Sequence, residues 1–143
     1  MHAMEISRSG LDVEWRRLEV IAENIANFST ARTAGGEPYR AQRLVSGPRA
    51  DFARLMGGDG LAAQGLSGVM VYGVEPTQTP PRKVYDPENP NADNDGNVTY
   101  PGLDQAGEMT LMIKTARVYE ANVVALNLAR QMYSKALDIG KRS

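Results

Sequence analysis

Asn91, Asp93 and Asp95 stand at alternate positions, and Gly96 follows them. A calcium-binding EF-hand loop opens in this way, with oxygens at alternate positions wrapping the ion and a glycine making the sharp turn. The match then fails. The twelfth position, where a bidentate Glu is required, is Gly102, and Pro90 and Pro101 exclude the flanking helices. A turn rich in Pro, Asn and Asp is the reading that remains. The Gly-rich run from Met56 to Gly68 lacks the Gly-Lys-Ser/Thr ending of a phosphate loop and the spacing of a dinucleotide fingerprint. The single histidine is His2, at a terminus, and there is no cysteine. A Ser-His-Asp arrangement, a His-based metal site and a thiolate site therefore have no residues to build them. Asp93 and Asp95 lie in a polar turn with nothing nearby to raise a pKa for acid/base work. The expectation is a protein with no catalytic, cofactor-binding or metal-ligating residues, and so not an enzyme.

If no side chain does chemistry, the elements that would have positioned it become the subject. The stretch Glu108–Ile139 contains no Pro or Gly and is dense in strong helix formers, which predicts one long α-helix. Met109, Met112, Ala116, Tyr119, Val123, Leu126, Tyr133 and Leu137 fall along a coiled-coil seam interrupted only by Arg130. Ala125, Ala129, Met132, Ala136 and Ile139 run along a neighbouring face, and Ile113, Val118, Val124 and Leu128 widen the apolar surface further. A helix apolar over most of its circumference needs neighbours on several sides. Its length would be about 50 Å, whereas a globule of this size is only about 35–40 Å across. Such a helix projects, and its cover must come from other subunits.

A second amphipathic helix is predicted from Ala3 to about Phe28. Met4, Leu11, Leu18 and Ile25 recur one heptad apart, with Trp15, Ile21 and Ala22 on the same side and Glu5, Arg8, Asp12, Arg16, Glu19 and Glu23 on the other. Gly10 weakens it by about 1 kcal/mol relative to Ala, which predicts fraying or a bend there. Asn24 and Asn27 are three residues apart and share a face. Asn27 in the left-handed conformation, with Ser29 and Thr30 satisfying local backbone groups, is the ordinary way for this helix to end. The two helices are expected to pair as a stem.

Between Thr33 and Leu103 lie all the prolines and most of the glycines, so this part is not helical. Pro38–Val45, Gly68–Val74, Arg82–Tyr85 and Asn97–Tyr100 suit strands. Asp51–Met56 reads as strand or helical turn, and Met56–Gly68 as a flexible connector. The fold class expected is α+β: long N- and C-terminal helices forming a coiled-coil stem, with a small β-hairpin module inserted between them. The boundaries are residues 1–30, 31–103 and 104–143.

The chain has 143 residues and a formal net charge of −1. That suits one domain and, with no basic run, argues against nucleic acid or an anionic membrane as partner. Protein partners remain. The lack of cysteine is compatible with either the cytoplasm or an oxidising compartment. The N-terminus is too charged for a secretory signal, and no segment approaches the roughly 20 apolar residues of a membrane span.

Several short motifs, taken together, resemble one family. Asn24-Ile25-Ala26-Asn27 with Thr30, then Pro38-Tyr39-Arg40, Val84-Tyr85-Asp86-Pro87, Gly96-Asn97-Val98 and Tyr100-Pro101 occur in order. Glu108-Met109 through Arg117, Tyr119, Ala121 and Asn122 completes the series. This pattern resembles the bacterial flagellar basal-body rod proteins, and within them the short C-type proximal members. Gly102 departs from it, standing where the family commonly has Asn. The resemblance implies a structural subunit of the helical, torque-transmitting rod that crosses the periplasm. It also implies export by the flagellar type III apparatus without a cleaved signal, and partners that are copies of itself, other rod proteins and basal-body ring or adaptor proteins. Subunit-interface contacts are then expected on Leu11, Trp15, Leu18, Asn24, Ile25 and Asn27 of the first helix. On the last they are expected at Met109, Met112, Tyr119, Asn122, Val123, Leu126, Met132, Tyr133 and Leu137. The rival reading of the same seams is a soluble coiled-coil adaptor or binding module that recognises one partner helix.

Overall fold

Where proline and glycine are scarce the chain is helical, and where they collect it forms short strands and turns. The computed structural model describes residues 2–49 and 68–141. Its elements in order are α1 (His2–Ala26), β1 (Gln42–Pro48), β2 (Val69–Pro76), β3 (Arg82–Tyr85), β4 (Asn97–Tyr100) and α2 (Gln105–Gly140). This is the α+β arrangement that the sequence predicts. Asp51–Met56 and nearly all of the Gly-rich connector lie outside the described residues.

Helix α2 begins three residues earlier than the helix-forming run suggests, and Asp104 explains why. Its carbonyl accepts the Glu108 N–H at 2.9 Å. Its carboxylate lies so close over Gly107 that a β-carbon there would sit 2.6 Å from Oδ2, so a poor helix former suits a crowded N-cap. Helix α1 does not end through a left-handed Asn27, since no described residue other than glycine has a positive φ. It closes by tightening instead. Phe28 donates its N–H to Ile25 O at 3.3 Å and Thr30 to Asn27 O at 3.0 Å, while the Asn27 amide donates to Glu23 O at 2.9 Å. Three-residue turns thus satisfy the last carbonyls without the strain of positive φ.

The strands form two separate two-stranded sheets, β1 with β2 and β3 with β4. In the second, Arg82, Lys83, Val84 and Tyr85 face Tyr100, Thr99, Val98 and Asn97 in antiparallel register. Around the first, Arg49 N–H reaches Gly68 O at 3.0 Å and Thr77 N–H reaches Ala41 O at 2.8 Å. The end of one strand thus lies beside the start of the other. Strand β1 starts four residues later than its alternation predicts, because residues before Gln42 are engaged by a side-chain network described below.

The chain divides into two compact units. One comprises Met1–Arg16, Val45–Gly73 and Thr115–Ser143, and the other Arg17–Leu44 and Val74–Lys114. In the first, Val13 and Thr115 are buried and Ser9 ties α1 to β2. The Ser9 hydroxyl donates to Ile6 O at 2.7 Å and accepts the Val69 N–H at 3.0 Å. Gly68 makes that approach possible, for its φ is 85° and a β-carbon on it would run into Ser9 Oγ. Tyr72 covers Gly47 and donates its hydroxyl to Pro48 O at 2.7 Å. In the second unit Val20, Ile21, Ala41, Leu44 and Val98 form the core, and the Arg82 guanidinium lies 5.6 Å from the Phe28 ring centre and 5.8 Å from that of Tyr100.

Candidate assembly surfaces

Asn24 is a polar residue in the apolar stripe of α1 that also holds Val20 and Ile21, and it is only 1% exposed. A buried amide must find partners for two donors and two acceptor sites. All four are met within its own unit. Its Nδ2 donates to Gln42 O at 2.8 Å and to Glu108 Oε2 at 3.1 Å. Its Oδ1 accepts the Gln42 N–H at 2.8 Å and the Tyr39 hydroxyl at 3.0 Å. One side chain thereby mimics a strand partner for Gln42, and β1 begins at that residue. Burial, with the Glu23 and Glu108 carboxylates adding to it, pushes the Tyr39 phenol above its ordinary value, so it remains a donor.

Helices α1 and α2 meet in the first unit at two points. A β-carbon on Gly10 would touch the Asn122 amide at 3.0–3.2 Å, and the Trp15 and Tyr119 rings lie 6.1 Å apart at 51°. Numbers rise along α1 as they fall along α2, which is antiparallel packing. Gly10 neither ends nor interrupts α1. The missing side chain is what admits Asn122.

Among the described residues the other side of α2 has no such cover. At about 100° per residue, Ile113, Val124 and Leu128 lie away from Thr115, Tyr119 and Asn122. They are 59%, 58% and 53% exposed, and Met132 is 70% exposed. Tyr133 and Leu137 are exposed too, as is every position from Gln131 to Gly140. Of the residues expected at an interface, Met109 and Trp15 are exposed, while Leu11, Leu18, Ile25, Asn27, Met112, Tyr119, Asn122, Val123 and Leu126 are half-buried. Asn24 alone is buried, in the network above. Ile113, Val124 and Leu128 were legible as apolar surface but absent from that expected set. Their spacing is the signal, since they share one side of the helix.

The Asn91–Gly96 turn uses its oxygens on itself. Asp93 Oδ1 accepts the N–H groups of Asp95 and Asn97 at 3.0 and 2.8 Å, Asn89 Oδ1 accepts that of Asn91 at 3.0 Å, and Gly96 has φ 76°. These are Asx turns. Among the described residues, no helix is long and apolar enough to cross a membrane.

Two comparisons with known proteins bear on this arrangement. The family profile described as flagellar basal body rod FlgEFG protein C-terminal matches residues 95–139, which span β4 and most of α2. The flagellar basal-body rod protein FlgC of Salmonella typhimurium is 34% identical, over 99% of this chain and 98% of that protein. The chain belongs to the flagellar basal-body rod protein FlgC family. FlgC of Borreliella burgdorferi is 35% identical over 96% of this chain and 95% of its own length. FlgC of Bacillus subtilis is 34% identical over 98% and 97%. Membership in the FlgC family makes the chain a structural subunit of the flagellar basal-body rod.

Proposed function

We propose that the chain builds the proximal, periplasm-crossing part of the rod, exported without a cleaved signal and serving there to transmit torque rather than to catalyse. Residues 1–30 and 104–143 act as the stem and residues 31–103 as the module that meets adjacent rod or ring proteins. Stems pack on neighbouring copies and on other rod proteins. Heterologous, non-closing contacts give a helical tube. The observation that carries this reading is the exposure of Ile113, Val124, Leu128 and Met132 along α2, a strip that a lone subunit leaves in water. The residues expected at the interface, among them Leu11, Trp15, Leu18 and Ile25 on α1 and Met109, Leu126, Tyr133 and Leu137 on α2, would add further contacts on other sides of the two helices.

Tracing this chain in electron-microscopy maps of isolated basal bodies tests the proposal. The expected result places it in the proximal rod with the outer side of α2 enclosed by neighbouring helices. A chain found outside the rod, or with that side facing solvent, overturns the reading.

A further inference from the structure

Asp95-Gly96 is one of two Asp-Gly pairs in the chain, the other being Asp59-Gly60. Such a pair is chemically labile, because glycine has no β-carbon to shield its backbone nitrogen from the carboxyl group before it. The nitrogen attacks the side-chain carboxyl carbon. An N–C bond forms, the amide proton is given up, and one carboxyl oxygen leaves as water. Water then opens the resulting succinimide ring at either carbonyl. One opening restores Asp, and the other leaves the main chain running through the β-carboxyl, longer by a methylene. Asp95 is exposed, so water reaches it freely.

The turn around this pair holds the nitrogen away from that reaction. Gly96 donates its N–H to Asp93 O at 2.9 Å, and Asp93 donates its own to Asn97 O at 2.9 Å. The result is a tight hairpin turn completed by the positive φ of Gly96, 76°. Asp93 Oδ1 accepts the N–H groups on either side of the labile one, those of Asp95 and Asn97, at 3.0 and 2.8 Å. Beyond the turn, Asp86 N–H reaches Gly96 O at 2.9 Å, and Tyr85 pairs with Asn97 where β3 meets β4. For the Gly96 nitrogen to reach the Asp95 carboxyl carbon it must leave its acceptor, and the flanking N–H groups must turn with it. We propose that Asp93 guards the Asp95-Gly96 link against succinimide formation, its backbone oxygen occupying the Gly96 N–H and its carboxylate fixing the two neighbouring ones. The oxygens that look like the start of a calcium loop thus keep the chain chemically intact. A methylene inserted there would break the bond from Asp86 to Gly96 and shift β4 against β3.

Ageing the purified full chain at neutral pH tests the guard. Isoaspartate is read peptide by peptide after digestion, by chromatography with electron-transfer fragmentation, so that Asp95 is separated from Asp59. In the folded chain Asp95 should convert at least about tenfold more slowly than in the same chain held unfolded in urea, because hydrogen bonds must break before the ring can close. Asp93→Ala removes both side-chain bonds and should speed conversion in the folded chain by about tenfold. Asp93→Asn, whose amide oxygen still accepts, should keep it slow. Equal rates in the folded and unfolded chain overturn the proposal, as does a folded Asp93→Ala protein that ages as slowly as the original. Circular dichroism shows whether the variants stay folded. Should Asp93→Ala fail to fold, Asp93→Asn decides: slow ageing supports the guard and fast ageing of that folded variant overturns it. The rod reading is tested separately in basal bodies and stands or falls there.

Discussion

Helices α1 and α2 are both amphipathic on the side where they meet, and they differ on the side where they do not. The far side of α1 carries Glu5, Arg8, Asp12, Arg16 and Glu23, all exposed, while Val13, Val20 and Ile21 are buried and, among the described residues, Trp15 is its one large apolar side chain left mostly exposed. The far side of α2 carries Ile113, Val124, Leu128 and Met132 instead. A charged outer side is finished once the chain folds, because water is its proper neighbour. An apolar outer side is finished only when another chain covers it. The outer side of α1 is thus complete in the folded subunit, while the exposed apolar side of α2 is the surface that the proposed assembly covers.

The largest effect expected from breaking this contrast is on assembly. Ile113→Asp places a carboxylate on the exposed apolar side of α2. Its position is already more than half exposed, so the urea-unfolding free energy of the isolated chain should move by no more than about 0.5 kcal/mol. In a rod the same change recurs in every copy. Each copy loses roughly 1.5–3 kcal/mol of burial, which weakens every association step by over tenfold. Motility should be lost while the protein is still made, and Arg8→Ala on the outer side of α1 should leave cells swimming. Swimming Ile113→Asp cells would show that α2 is as finished as α1.

The next effect falls on folding and belongs to α1. Asn24→Ala leaves the Gln42 N–H and C=O without the partners now 2.8 Å away. With about 1–3 kcal/mol for each stranded group, the loss should reach about 3–5 kcal/mol in urea denaturation. Asn27→Ala removes an exposed bond to Glu23 O and a half-buried one from the Thr30 hydroxyl, neither group being stranded in the core, and should cost about 1 kcal/mol. Gly10→Val comes third, at about 1–3 kcal/mol, because its side chain must displace Asn122. A Gly10→Val protein as stable as the original would mean that the two helices do not meet closely at that point.

How much of this could be read beforehand differs along the chain. The helices were legible because period and composition are local properties, and β3 and β4 were located to the residue by their flanking turns. Strand β1 was misplaced because its start is set by Asn24, eighteen residues earlier in sequence, and no local pattern reports such a bond. The same blindness put Asn24 among expected interface residues, since a polar residue on an apolar face has the same spacing whether its partners lie within the chain or beyond it. Gly10 was read as a weakness for a related reason: propensity tells the cost of a glycine in a helix, and only the neighbour tells its use.

The smallest effect concerns Tyr39, where a side chain from α1 and one from α2 meet through the same network. Tyr39→Phe removes one hydrogen bond, to Asn24 Oδ1 at 3.0 Å, while that oxygen keeps the Gln42 N–H. The loss near neutrality should be about 0.5–1.5 kcal/mol. Its pH dependence is more telling than its size. Burial first, and then the Glu23 and Glu108 carboxylates, raise the folded phenol above the ordinary tyrosine value. On raising the pH the unfolded phenol therefore loses its proton first, at about 10, while the folded one still holds it. The folded state then binds more protons than the unfolded state, and stability falls as pH rises. The contribution of Tyr39 is fully present below the unfolded value and is lost as pH climbs through the folded one. Melting temperatures of the original and of Tyr39→Phe should accordingly differ by a constant amount from pH 7 to about 9, and converge above about 10. The other tyrosines are common to both proteins and cancel in the difference. A gap that stays constant to the alkaline limit would mean that Tyr39 is not enclosed between Glu23 and Glu108. The inward side of α1 would then be as unfinished as the outward side of α2.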